Sequence, residues 1–223
     1  MTARNSAAAE AATVRARARR GVWRRLLWLC GARTPRMRAA DERAARWEHG
    51  AAAETATARL LTPLGRAGWH VRHDLRLAGR RFNIDHVLVS PCGTAVVVAD
   101  TKHWHRGRPT VLVDGRVYCG DPRLGPADDR HDQVEAVARY ARLVQAALGA
   151  PGVTVLPLVI VHGSPVDVSG LEAPVSGGTV WVLGAGQVVP RLRGAVRTLP
   201  DRYRAGALAG QVDRVLRPYG EAA

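Results

Sequence analysis

The chain has 223 residues, 47% of them hydrophobic, which is enough to bury one good core and suggests one domain with a terminal extension. Its net charge of +14 is uneven: residues 1–40 hold ten arginines against one acid, Glu10, so nine of the fourteen positive charges lie there, and such an excess favours phosphate-bearing partners. The three cysteines, Cys30, Cys92 and Cys119, are odd in number and lack CxxC spacing, which excludes a disulfide framework or a zinc site and reads as reduced thiols in a cytoplasmic protein.

From residue 7 to 25 the sequence is mostly alanine and arginine with few large apolar residues, helical by propensity but without a clear buried face. Val22, Trp23, Leu26, Leu27 and Cys30 then share one side at helical spacing. They form either a basic amphipathic helix on an anionic membrane or a protein partner, a weak contact through residues 1–35, or a helix packed on its own domain. The apolar run of residues 26–30 is too short to span a bilayer, and Leu29 is not the small residue a lipid-attachment cysteine would need before it. Residues 1–40 are thus expected to be a basic helical arm, and residues 41–223 the folded domain.

Residues 37–64 read as one or two alanine-rich helices ending near Pro63 and Gly65. Strands follow at 69–77 and 81–89, the second with Phe82, Ile84, His86 and Leu88 on one side and Asn83, Asp85, Val87 and Val89 on the other. After a turn at 90–93, residues 94–102 form a nearly continuous apolar strand, the pattern of a strand covered on both faces. Residues 110–113 and 116–119 flank Asp114-Gly115, a strong hairpin signal. A loop at 121–128 precedes a core-facing helix over 129–148. Strands at 153–161 and 179–183, a surface loop over 163–178 between them, and helices at 187–199 and 204–216 complete an α/β domain with a mixed sheet covered on two faces.

Lys102 is the chain's one lysine, beside 32 arginines, and it ends the apolar strand in the run Asp100-Thr101-Lys102. Asp-x-Lys at a strand end is where a metal-dependent phosphodiesterase puts a metal ligand and a water-activating amine. Arginine does not substitute there, because a guanidinium does not give up its proton whereas a desolvated ammonium does. Alternation puts Asp100 and Lys102 on one face and Thr101 on the other. With a four-residue connection at 90–93, Val89 pairs with Thr94 and Asp85 with Val98, so Asp85 lies diagonal to Asp100 on the same face, roughly 6 to 8 Å away by Cα. Two carboxylates so spaced close on one divalent ion. Magnesium, or manganese in its place, suits oxygen ligands of this kind, with the backbone carbonyl of Thr101 as a further ligand. The competing reading is an Asp–Lys salt bridge that merely neutralises a strand end.

At these residues the chain resembles the NERD family, the nuclease-related domain, itself similar to the restriction-endonuclease-like PD-(D/E)xK nucleases. The match is carried by Ala67-Gly68-Trp69, Asp74-Leu75, Asn83-Ile84-Asp85-His86-Val87-Leu88-Val89, Gly93, Asp100-Thr101-Lys102-His103-Trp104 and Gly107. It is specific over residues 50–107. The resemblance implies an α/β/α sandwich around a central mixed sheet and a magnesium-dependent nuclease in which Asp85 and Asp100 hold the metal and Lys102 orients or deprotonates the attacking water. Glu54, in Gly50-Ala51-Ala52-Ala53-Glu54, takes the place of the family's helix glutamate, supporting the ion or the lysine; Ala53 stands where the family has glycine.

Next to the lysine, His103, Trp104, Arg106 and Arg108 are candidates to hold a nucleic-acid backbone and stack a base, DNA before RNA, with Gln133 reaching in from the long helix. The alternative is packing for Trp104 and a solvated loop for the others. His86 reads as a hydrogen-bonded core histidine. A catalytically inactive nucleic-acid-binding module of the same fold is the rival to the enzyme, and the membrane or partner contact of the basic arm a third reading. Oligomeric state is open.

Overall fold

The computed structural model describes residues 35–80, 82–196 and 198–219, together with Thr13, Ala16 and Arg17. The amphipathic stretch at 22–30 and most of the basic arm lie outside the described residues. Two compact units divide the chain, Met1–Thr55 and Ala56–Ala223. Among the described residues no helix is long and apolar enough to cross a membrane.

Helix α1 (Pro35–Arg66) begins in the first unit and ends in the second, one helix of 32 residues that contains Pro63. Pro63 falls in the last turn, where a missing N–H removes a single ladder bond. The helix stops three residues further on in a closed C-terminal motif. Trp69 N–H donates to Leu64 O at 3.1 Å and Gly68 N–H to Gly65 O at 3.1 Å. Gly68, at φ +86°, supplies the left-handed residue this motif requires, and Trp69 and Leu64 share one apolar cluster.

The second unit is built on a seven-stranded mixed sheet. Its strands are β1 (His70–Leu77), β2 (Ile84–Val89), β3 (Ala95–His103), β7 (Thr154–His162), β8 (Leu171–Val175), β9 (Gly178–Gly184) and β10 (Leu216–Pro218), in the order β10-β1-β2-β3-β7-β9-β8. β3, β7 and β9 run parallel, and the other neighbours are antiparallel. A smaller sheet joins β4 (Thr110–Val113), β5 (Arg116–Cys119) and β6 (Asp128–Asp129). The expected hairpin is there, with Asp114 and Gly115 both at positive φ and Val113 paired with Arg116.

Helices α2 (His131–Leu148) and α4 (Arg202–Val215) cover one face of the large sheet. Val87, Val89, Val96 and Val98 pack there against Ala141, Val144, Leu148, Leu208 and Val212. The other face carries Leu88, Val97, Ala99, Leu158 and Ile160 against Leu61 and Leu64 of α1 and Val188 and Leu192 of α3 (Val188–Ala195). Both faces of β3 are therefore covered, as its unbroken apolar run requires.

Three expectations change. The supposed loop at 163–178 contains β8, masked in the sequence by Pro174; a proline lacks the N–H a central strand needs, and β8 is the sheet edge. The last helix ends at Val215, and residues 216–218 close the opposite edge. The β2–β3 register is two residues from the expected one, with Val89 opposite Val96. Ser90 causes this: its N–H donates to Ala95 O at 2.9 Å and its Oγ accepts from the amides of Thr94 at 3.2 Å and Ala95 at 3.1 Å, which moves the four-residue connection to 91–94. Gly93 in that loop abuts α4; a Cβ there would lie 2.5 Å from the Arg204 carbonyl carbon. An even shift preserves which side chains share a face.

Candidate active site

The C-terminal end of β3 presents different chemistry on its two faces. Val96, Val98, Asp100 and Lys102 point toward α2, and Val97, Ala99 and Thr101 toward α1. Extending the observed register one step beyond the His86–Ala99 pair brings Asp85 level with Asp100, closer than the diagonal placement expected. At this point the ladder opens. The pairing of Ser90 with Ala95 sets the parity that would send the Thr101 N–H to the backbone of Ile84, but it donates to Asp85 Oδ2 at 2.8 Å. A residue's N–H and C=O leave an antiparallel strand on the same side, so the Thr101 carbonyl also faces Asp85.

Lys102 Nζ lies 2.6 Å from Asp100 Oδ2, with the two side chains 31% and 13% exposed. That oxygen is buried, and the close ammonium is its partner. Burial pushes the Asp100 carboxyl up, and the Lys102 charge pulls it only partly back. For Lys102, burial alone would lower the pKa; the charge of Asp100 and its closeness, followed by Asp85 and Tyr140, outweigh it and hold the amine above the usual lysine range. Lys102 is thus an ammonium here. Tyr140 of α2 stacks on Phe82, ring centroids 4.3 Å apart and 9° from parallel.

The opposite face carries a neutral chain of side chains. His73 Nδ1 and His86 Nδ1 are 2.8 Å apart, His86 Nε2 and Thr101 Oγ1 3.0 Å, Thr101 Oγ1 donates to Thr57 Oγ1 at 3.1 Å, and Thr57 Oγ1 lies 2.7 Å from His162 Nε2. Burial, followed by the neighbouring His73 and His162, pushes His86 down to about 3. Burial likewise lowers His73, with Arg72 adding to it, and His162, with His103 adding to it.

His86 is the core histidine its alternation implied, 2% exposed. Thr57, His73 and His162 were not singled out in the sequence. The signals were there: Thr57 interrupts the apolar spacing Thr57, Leu61, Leu64 of α1, and His73 faces His86 across the β1–β2 hairpin.

Of the residues expected to touch nucleic acid, His103 and Arg106 are exposed. Arg108 is half-buried and pairs with Asp128 at 3.5 Å. Trp104 departs from the base-stacking expectation. It is 3% exposed, packed with Val134, Val137 and Val161, and its indole N–H donates to Gln133 Oε1 at 3.1 Å, so these two residues form an internal contact. Glu54 is half-buried on α1 in the first unit.

Among the described residues there is no cluster of three or more His, Cys, Asp or Glu side chains arranged to hold a metal. The candidate oxygen donors at the β3 end are the Asp85 carboxylate, one oxygen of which accepts from the Thr101 N–H, the Asp100 carboxylate, one oxygen of which is 2.6 Å from Lys102 Nζ, and the Thr101 carbonyl. That set fits a hard cation such as magnesium, which takes few protein oxygens and keeps waters in its other positions.

The chain is similar over residues 49–162 to a described family, the nuclease-related domain. No curated protein and no solved structure matches it.

Proposed function

Because the chain belongs to the nuclease-related domain family, we propose that it hydrolyses phosphodiester bonds of nucleic acid in a magnesium-dependent reaction, with DNA the favoured substrate over RNA. The observation that carries this reading is the meeting of Asp85, Asp100 and Lys102 at one opened strand end, the lysine 2.6 Å from Asp100. Asp85 and Asp100, with the Thr101 carbonyl, are the residues that would hold the ion. When bound, magnesium supplies Lewis acidity toward a phosphate oxygen and lowers the pKa of a water.

The chain's own residues do the rest. Lys102, as an ammonium, orients the attacking water or a phosphate oxygen by a charge-assisted hydrogen bond. Its proton is retained by the Asp100 charge, which favours orientation over proton abstraction as its role. His103 and Arg106 are exposed beyond the end of the pair; Arg106 supplies positive charge for the nucleic-acid backbone and His103 a ring nitrogen for hydrogen bonding. The supporting role of Glu54 rests on its sequence context alone.

A binding module of the same fold without turnover is favoured by one observation, the direct closure of Lys102 onto Asp100. Incubation of wild type and Lys102→Ala with single- and double-stranded DNA and RNA, in magnesium, in manganese and in chelator, separates the two. Cleavage that needs the divalent ion and is lost in Lys102→Ala while binding persists is the expected result. Salt-sensitive binding without divalent-dependent cleavage on every substrate would leave the binding module.

A further inference from the structure

Thr101 touches both sides of the strand end. Its N–H fixes Asp85, its neighbours in sequence are Asp100 and Lys102, and its hydroxyl lies in the buried chain on the opposite face. The proton order from His73 to Thr57 follows from the direction of the Thr101–Thr57 bond. Thr101 has one hydroxyl proton and gives it to Thr57, so it must accept from His86 Nε2. His86 is then a neutral ring with Nδ1 bare, and His73 Nδ1 donates to it. Thr57, having accepted from Thr101, shares a hydrogen bond with His162 Nε2 at 2.7 Å. From His73 to Thr57 the bonds run in one direction, and His86 and Thr101 each both give and receive. Thr57, His86 and Thr101 are 0%, 2% and 8% exposed, so no water stands ready to replace a lost member.

We propose that Thr57, His86 and His162 are positioning residues: through the Thr101 hydroxyl they fix the Asp100-Thr101-Lys102 strand end, and so the spacing of Asp85, Asp100 and Lys102 on the other face. The inference rests on the nuclease reading for its purpose but not for its test. A strand end has an unpaired edge once its ladder opens, and here β2 and β3 part beyond the His86–Ala99 pair. The other edge stays paired with β7 as far as His103, and on the β2 side the hydroxyl of Thr101, tied to β2 through His86 and to α1 through Thr57, takes the place of the missing backbone pairing. Polar groups that orient a metal's own ligands act in this indirect way, and their loss typically weakens metal binding about 10- to 100-fold.

The experiment uses the full chain labelled with 15N at the lysine side chain, which gives one Nζ resonance because Lys102 is the only lysine. Thr57→Val keeps shape and removes the hydroxyl; Thr57→Ser keeps the hydroxyl. Thr57→Val is expected to move the metal-free Lys102 resonance and to weaken Mn2+ binding about tenfold, and Thr57→Ser to restore both to near the wild-type values. A merely packing role for Thr57 would give the reverse ranking, since valine fills the site and serine leaves a gap. A Lys102 resonance unchanged in Thr57→Val, or changed as much in Thr57→Ser, overturns the proposal. Should Thr57→Val fail to fold, His162→Leu, which removes only the outer end of the chain, is read against His162→Gln in the same way. If the wild type takes up no Mn2+, the nuclease reading fails while the resonance comparison still decides this one.

Discussion

The two faces of the β3 end are a study in how one tripeptide manages opposite kinds of polarity. Toward α2, Asp100 and Lys102 meet at 2.6 Å as a pair of opposite charges, with side chains 13% and 31% exposed. Toward α1, Thr101 joins His73, His86, Thr57 and His162 in a chain that satisfies itself without any charge. The same burial acts on both with opposite outcomes. It is overcome at Lys102, whose amine is held above its ordinary range by Asp100, and prevails at His86, which is pushed down to about 3. Charge is retained only where a partner of opposite sign is in contact, and neutrality is retained where every partner is a neutral donor or acceptor.

The comparison is broken most severely from the charged side. Lys102→Ala is expected to reduce divalent-dependent cleavage by about a thousandfold, the middle of the range for loss of a positioned acid–base or charged group, in single-turnover assays. It leaves the folded neutral face intact, so the His86 ring resonances should stay in place. From the other side, His86→Leu removes a donor from Thr101 and an acceptor from His73 at a fully buried site. It should lower stability by about 2 kcal/mol in urea unfolding, since buried Thr101 loses its donor and half-buried His73 its acceptor.

Acid sharpens the comparison further. His86 in the folded protein protonates near 3, far below its ordinary 6.5, so the unfolded chain takes up the proton first. The stabilisation is complete above pH 6.5 and falls as pH drops from there toward 3, at no more than about 1.4 kcal/mol per pH unit for this ring. His73 and His162, also lowered, add loss in the same direction. Urea midpoints measured across this window should decline, and His86→Leu should flatten the decline. The smallest effects come from outside both faces. Trp104→Phe loses the hydrogen bond to Gln133 and about 1 kcal/mol of stability without altering nucleic-acid affinity, whereas Arg106→Ala leaves stability unchanged and lowers the salt dependence of binding by about one phosphate contact in filter or fluorescence titrations.

Much of the charged face was legible because strand alternation and the apolar run of residues 94–99 depend on local pattern alone. Asp100 and Lys102 share a face whatever the loop does, and Asp85 joined them because the register error was even. The register itself was not legible, since it turns on Ser90 capturing two amides with its hydroxyl, a choice between chain directions that composition does not reveal. The neutral face was largely hidden for a related reason. Thr57, Thr101 and His162 come from a helix and two strands, 44 and 61 residues apart in successive steps, and only the assembled sheet brings them together. Trp104 shows the limit of reading neighbours along a chain: next to a cationic run in sequence, it turns inward and gives its N–H to Gln133 of α2.

The solitary lysine has a consequence in proteolysis. A lysine-specific protease meets one susceptible bond in the whole chain, Lys102–His103, and both residues lie within the β3 strand paired with Val161 and His162 of β7. A protease needs that segment pulled free as an extended strand, so cutting waits for the end of β3 to part from β7. With enzyme scarce enough that reclosing outruns cleavage, the rate at which two fragments appear follows the population of opened molecules, and one gel band then measures how firmly the end of β3 is held to β7.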